Sequence, residues 1–410
     1  MADASVFRQI LDHANRADPY PLFAALRRNP VALQEDGSHV VSTYREIVAL
    51  LHDPRVSSDL RNLRGSSAAA LAEAAASQEP PHSFIGLDPP DHDRLRALTM
   101  RHFGPPHAPG RIDGMRPRLA EIVTGLVDAL ADGERADIVD DVAYPFPVTV
   151  ICHLLGVPRE DEPRFRTWAD AVAEAAGPGE GDATEQRRRR SAAITALGEY
   201  LGELIDARRG NPGDDLLSGL VNHDGPGAGM SRADIVSTAT LLLIAGHETT
   251  VNLITNGMLT LLRRPELLDR VRRAPELSIR LVEELLRFEP PVQFALTRAA
   301  LADIDIAGTT IPKGAPIVLA LAAGSRDPGH VPDPDRFDPD RDGNQHLGFG
   351  GGVHYCFGAP LARLEAQLAL TELVRRLENP RLVADPPPYR PGAMLRGPRH
   401  LLVEFDGVIG

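Results

Sequence analysis

Only two cysteines, Cys152 and Cys356, occur in 410 residues, so no disulfide framework of the secreted kind holds this chain together. The N-terminus, MADASVFRQILDHANRADPY, lacks the basic segment followed by an apolar one that marks an export signal. No later stretch reaches about 18 uninterrupted apolar residues, the length a membrane helix needs. A cytoplasmic chain with no membrane anchor is the expectation. Basic charge is also short: 44 Lys and Arg stand against 57 Asp and Glu, a net charge of −13. That balance argues for solubility and against a nucleic-acid or anionic-membrane partner, while leaving room for a local basic patch.

What is present is mostly helical in pattern. MRPRLAEIVTGLVDALADG, RRRSAAITALGEYLGELIDARRG, SRADIVSTATLLLIAGHETTVNLITNGMLTLLRRP and LSIRLVEELLRFEP all repeat apolar residues at spacings of three and four. Ser231 is placed to cap the third, and Pro265 and Pro290 end the third and fourth. Strand-like pieces are few: SHVVSTY, then DIDIAGTTIPKGAPIVLAL with a hairpin turn expected at Lys313 and Gly314. From Arg326 to Gly352 the chain is rich in Pro, Asp and Gly and reads as an irregular meander. Gly177 to Asp182 and Gly225 to Gly229 read as surface loops. No internal repeat is found, and the expectation is one mainly α domain, residues 1–410, with a small β region.

The meander leads into HLGFGGGVHYCFGAPLARLEA, where Cys356 sits among five glycines. Pro360 marks the start of an amphipathic helix directly after it, and a helix N-terminus lowers a cysteine pKa and favours the thiolate. The glycines let the backbone approach a flat ligand closely. For a lone cysteine, an inert buried thiol would carry most of the weight. The spacing Phe349-Gly350-x-Gly352-x-His354-x-Cys356-x-Gly358 changes that, because it closely resembles the haem-binding loop of the cytochrome P-450 family.

The resemblance implies a mainly α fold in which haem b lies between a long oxygen-binding helix and the cysteine loop with its helix. It implies Cys356 as the axial thiolate to iron, Phe349 packed near that haem face, and His354 on a haem propionate. Three further stretches agree with it. Glu284 and Arg287 in VEELLRFEPP form a Glu-x-x-Arg pair, by itself an ordinary helix-surface contact. In the family this pair is buried with an arginine of the meander, which assigns Glu284, Arg287 and Arg341 as a structural triad. His92 and Arg96 lie four apart in DPPDHDRLRALTM, and Arg298 lies in ALTRAA; the family places a His-x-x-x-Arg and a further arginine on the haem propionates.

LLLIAGHETTVNL places Ala245, Gly246, Glu248 and Thr249 in the middle of an otherwise apolar helix. A zinc motif opening at His247-Glu248 fails, because Val251 stands where the second histidine is required. Hydroxyls of Thr249 and Thr250 bonded back to the preceding turn would explain the threonines but not the acid. The stretch resembles the A-G-x-(D/E)-T motif of the P-450 oxygen helix. There Thr249 would hydrogen-bond the oxygen being activated, and Glu248 would bring protons from solvent by moving between a salt bridge and the groove.

The resemblance runs from HDPRVSSD near residue 52 to LRGPRHLLVEF and implies a haem-thiolate monooxygenase of the soluble bacterial kind. O2 would be activated with two electrons that come from NAD(P)H through a reductase and a ferredoxin, the protein acting as a monomer. Substrate contacts would come from the loop around Ser83 to Leu87 with Phe84, the Trp168 to Ala176 region, Leu242 and Ala245, Val292, Phe294 and Ala295, and Met394 with Leu395. Phe294 is expected to narrow the pocket. Most of these side chains are apolar, so a hydrophobic small molecule is implied: a steroid, terpenoid, macrolide or other secondary metabolite. Oxidative coupling or ring formation is the alternative outcome, and a haem sensor without turnover is disfavoured because binding alone needs no proton relay.

Overall fold

A computed structural model describes residues 5–64, 83–104, 108–174, 183–222 and 229–410. The chain divides into two compact units. One is formed by residues 1–94, 283–357 and 393–396, the other by residues 95–282, 358–392 and 397–410.

The first unit is organised on a five-stranded sheet in the order Val31–Leu33, His39–Val41, Pro316–Leu319, Arg298–Ala300, Val56–Ser57. His39–Val41 and Pro316–Leu319 run parallel, with His39 opposite Ile317, and the other pairs are antiparallel. Successive residues of these strands point to opposite faces, and both faces are covered. Val41, Ile317 and Leu319 join Ile47, Leu50, Leu321 and Leu347 on one side. Val40 joins Phe23, Phe294 and Ala322 on the other. That double burial explains why HVV and PIVLAL read as continuous apolar runs rather than alternating ones.

The turn between the predicted strands falls elsewhere than expected. A separate hairpin, Ile304–Ile306 with Thr309–Ile311, closes through Ala307 and Gly308, both at positive φ (47° and 76°). The Lys313–Gly314 turn instead delivers the chain into Pro316–Leu319, with Gly314 at φ 83°. Alanine is disfavoured in left-handed backbone, so local turn chemistry points to Lys313–Gly314, whereas the pairing of Asp305 with Thr310 sets the hairpin. Beyond the short helix Leu321–Ser325, residues 326–351 form neither helix nor strand, the irregular meander that their composition predicts.

The second unit is built around the helix Arg232–Leu262, about 46 Å long at 1.5 Å per residue. Ser231 caps it, accepting from the Asp234 amide while the Asp234 carboxylate accepts from the Ser231 amide. The helix is apolar nearly all round because it is packed nearly all round, against the helices Pro145–Leu155, Ala183–Gly210 and Ala359–Arg376. The segment Ile138–Leu155 is apolar enough by length and composition to span a membrane, yet 72% of it is buried inside the fold. Residues 177–182 and 225–228 of the expected loops, and 175–176 of the expected substrate region, lie outside the described residues.

Candidate functional site

In the first unit, the cysteine loop follows from its glycines. Gly350 and Gly352 adopt φ of 68° and 64°. A Cβ on Gly352 would stand 2.0 Å from the Leu51 carbonyl oxygen, so no other residue fits. The turn carries Phe349, buried between the rings of His346 and Tyr355, and its carbonyl accepts from the Cys356 amide at 2.9 Å. This bond fastens the backbone at the partly exposed thiol. Gly358 then caps the helix Ala359–Arg376, with Pro360 in its first turn.

The same unit gathers His92, Arg298 and His354. The rings of His92 and His354 are 4.4 Å apart. His92 is buried, its Nδ1 is 2.8 Å from Asp93, and its Nε2 has no hydrogen-bond partner among the described residues. Arg298 is buried too, and burial pushes its pKa down to about 10, only partly opposed by Asp88. Arg298 and His354 line one cavity of about 410 Å³ with Leu50, Val56, Gly351 and Gly352. A desolvated guanidinium calls for an anion, and the His92 ring can donate from Nε2 to one when it carries both protons; haem brings two carboxylates, so the donor set fits that group. Arg96, one turn after His92 on the helix Asp91–Phe103, is half-buried.

The structure also brings Glu284, Arg287 and Arg341 together. Glu284 and Arg287 are fully buried and joined by two bonds of 2.7 Å. The Glu284 carboxylate accepts as well from the Asp338 amide and from Asn344, and Arg341 Nε lies 3.7 Å away. Arg287 also donates to the carbonyls of Pro334 and Arg336, and Arg341 to those of Pro332 and Asp333. The pair therefore ties the meander, which has no ladder of its own, to the helix Ser278–Phe288.

In the second unit, the middle of the long helix shows an accessible stripe. Leu241, Ile244, Glu248 and Thr249 are half-buried and Ala245 is exposed, whereas Leu242, Leu243, His247 and the run from Thr250 to Leu261 are buried. The spacing of three and four puts the accessible residues on one face. Thr249 Oγ1 donates to the Ala245 carbonyl at 2.6 Å. Glu248 lies 3.8 Å from Arg390; burial pushes its pKa up and Arg390 opposes the shift. Gly246 faces Ile151 at ordinary contact distance.

Two acidic arrangements escaped the sequence reading. Arg390 lies 142 residues from Glu248, and nothing local links them. Glu365 had a legible signal: it occupies an apolar stripe of its helix, four residues after Leu361 and four before Ala369. It is fully buried, hydrogen-bonds Thr250, and burial holds its carboxyl well above the usual range.

The expected substrate residues scatter. Val292 and Leu395 form an isolated bridge, and the Gln293 amide donates to the Met394 carbonyl, so these two segments of the first unit adjoin. Ala295 is half-buried and Met394 exposed. Phe84 is buried beside Phe357 and His92. Phe294 does not narrow a pocket: it packs on Phe7 and Phe23, each 5.7 Å away, in the sheet core. Leu242 is buried, while Ala245 is accessible. Trp168 packs on Phe165 and Tyr200.

A helix-rich chain with a glycine-walled cysteine and a basic set suited to haem carboxylates defines the haem-thiolate class. Known proteins narrow it further. The family model described as Cytochrome P-450 matches residues 183–405. The cytochrome P-450 monooxygenase PikC of Streptomyces venezuelae is 42% identical over 401 residues, 95% of this chain and 91% of PikC. The mycinamicin IV hydroxylase/epoxidase of Micromonospora griseorubida is 39% identical over 89% of this chain and 88% of its own. The ligand-free crystal structure of Mycobacterium smegmatis CYP164A2 superposes with a TM-score of 0.87 at 41% identity, covering 97% of this chain and 99% of that one. The chain belongs to the cytochrome P-450 family. It is a monooxygenase of the oxidoreductase class, and the family's cofactor is haem.

Proposed function

We propose that this protein hydroxylates, or otherwise inserts one oxygen atom into, a hydrophobic secondary metabolite of the steroid, terpenoid or macrolide kind. The observation that carries the reading is the accessible stripe of the long helix, where apolar Leu241, Ile244 and Ala245 adjoin Glu248 and Thr249. When bound, haem supplies the chemistry that activates O2. Cys356 is the residue that would hold its iron, and His92, Arg96, Arg298 and His354 would hold its carboxylates. Phe349 and Gly358 would shape the loop around Cys356, and Gly246, which carries no side chain, would leave room for a ligand on the oxygen helix.

Glu248 is suited to carry protons. Its carboxyl is pushed up by burial yet stands at 3.8 Å from Arg390, near enough to be drawn into an ion pair and far enough to leave it. Thr249 offers a hydroxyl that donates to the Ala245 carbonyl at 2.6 Å, and rotation about its side chain would turn that proton towards a ligand. Glu284, Arg287 and Arg341 support the cysteine loop by tethering the meander that precedes it. Electrons would come from NAD(P)H through a reductase and a ferredoxin, in the cytoplasm, to a monomer acting as a single functional domain.

The test is a screen of apolar metabolites against the haem-loaded protein, reading the low-spin to high-spin shift of the Soret band, followed by turnover with a ferredoxin and its reductase. A macrolide, terpenoid or steroid that gives the shift and an oxygenated product is the expected result. Shifts confined to small polar compounds, or shifts with no product, would overturn the substrate assignment.

A further inference from the structure

Ser57, Ser58 and Asp88 form a polar set directly behind His354. Both serines are buried, at 1% and 4% exposure, in a position where an unpaired hydroxyl would be costly. The Asp88 carboxylate is held on both oxygens: Oδ1 accepts from the Ser58 amide at 2.8 Å, and Oδ2 accepts from the Ser57 hydroxyl. Ser57 Oγ in turn accepts from the Asp59 amide at 3.0 Å and from Asn62 at 2.9 Å, and its proton goes to Asp88 rather than to the more distant Asp59 carbonyl at 3.4 Å. Ser58 Oγ lies 2.7 Å from His354 Nε2. Asp88 is also the acid that offsets the burial of Arg298.

One carboxylate is thus linked to two of the basic groups that line the cavity, to His354 through Ser58 and to Arg298 through charge. We propose that Ser58 and Asp88 are positioning residues for the haem carboxylates. Ser58 fixes the ring of His354 by engaging Nε2, so that the ring's other nitrogen keeps one direction. Asp88 anchors Ser58 by accepting from its backbone amide. The inference rests on the reading of His354 and Arg298 as partners of haem carboxylates. It adds a role for residues in the segment RVSSD and for the first aspartate of DPPDHD, which lie before the helix that carries His92.

The consequences are measurable without turnover. Ser58→Ala releases the His354 ring and should shift the resonance Raman bending bands of the haem carboxylates. It should also speed haem transfer to apomyoglobin by about tenfold, the low end of what outer partners of a bound metal group contribute. Ser58→Thr keeps the hydroxyl and should restore both. Asp88→Asn removes a negative charge that acts on Arg298 and the carboxylate site, so the reduced, more negative haem is favoured and the reduction potential should rise. A purely structural role would lower stability but leave the bands and the potential of the haem-loaded fraction unmoved. His354→Ala separates the two levels. If it shifts the carboxylate bands while Ser58→Ala and Asp88→Asn change neither bands, transfer rate nor potential, the positioning role is wrong and the His354 assignment stands. If His354→Ala leaves the bands in place, that assignment falls, and this inference falls with it.

Discussion

Removal of Arg287 is the perturbation for which the structure sets the size most clearly. Arg287→Ala deletes two charge-assisted bonds of 2.7 Å to a carboxylate that is wholly buried. Bonds of that type contribute about 1.5–3 kcal/mol each, and breaking one partner from a buried pair costs about 3–5 kcal/mol. The lower sum applies because Glu284 keeps the Asp338 amide at 2.8 Å and Asn344 at 3.1 Å. Arg341 cannot replace the lost partner from 3.7 Å without moving. The Pro334 carbonyl also loses the donor at 2.7 Å. A loss of about 3–5 kcal/mol consumes a large share of a typical stability of about 5–15 kcal/mol, so little haem-loaded protein should accumulate. Arg341→Ala removes bonds to carbonyls at a partly exposed position and should cost less, about 1–2 kcal/mol. Haem content per chain and urea unfolding of whatever folds are the measurements. Normal haem content with unfolding within about 1 kcal/mol of wild type for Arg287→Ala would refute the reasoning. So would a larger loss for Arg341→Ala than for Arg287→Ala.

Cys356→His should abolish the long-wavelength band of the reduced, carbon monoxide-bound protein, whereas Cys152→Ala, at a thiol whose pKa burial pushes up to about 12, should leave it unchanged; the difference spectra decide. Thr249→Ala should leave substrate binding spectra alone yet lower product per electron pair by roughly tenfold, below the 10²- to 10⁴-fold of a full acid–base group because water can substitute. The rest should appear as hydrogen peroxide, and an unchanged ratio of peroxide to product would remove Thr249 from oxygen activation. Glu248→Gln should instead slow turnover as a whole. Glu365 has a folded-state pKa raised above its unfolded value, so the folded protein binds the extra proton and loses stability as pH rises from the ordinary carboxylate range through the raised value. Glu365→Gln should therefore gain stability over wild type at pH 8 compared with pH 5 in paired urea melts, and a constant difference would show that Glu365 is not held protonated.

What could be read from the chain was what short stretches encode. The apolar period of the long helix, its cap at Ser231 and the glycines around Cys356 are local rules, and each holds in the fold. Gly352 is required because the Leu51 carbonyl approaches it, but its place between Phe349 and Cys356 was already visible as spacing. The Glu284–Arg287 spacing was visible too, whereas its burial was not: two charges three apart look the same on a surface helix. Tertiary packing alone supplied the carbonyls and amides of the meander that make that pair a buried tie.

Three further matters belonged to the tertiary structure. Phe294 stands in an apolar stretch whose two sides are both plausible, and only the approach of Phe7 and Phe23 sends it into the core. The hairpin closed at Ala307–Gly308 against local turn preference because strand pairing outweighs the strain of one alanine. Glu248, Glu365 and His354 were singled out or passed over as single letters, yet their chemistry depends on Arg390, Thr250 and Ser58, partners up to 296 residues away. A sequence determines which groups are available and which faces they share. Whether an acid is paired, desolvated or proton-bound depends on what packing brings against it, because charge interactions act over a few ångströms of space and not along the chain.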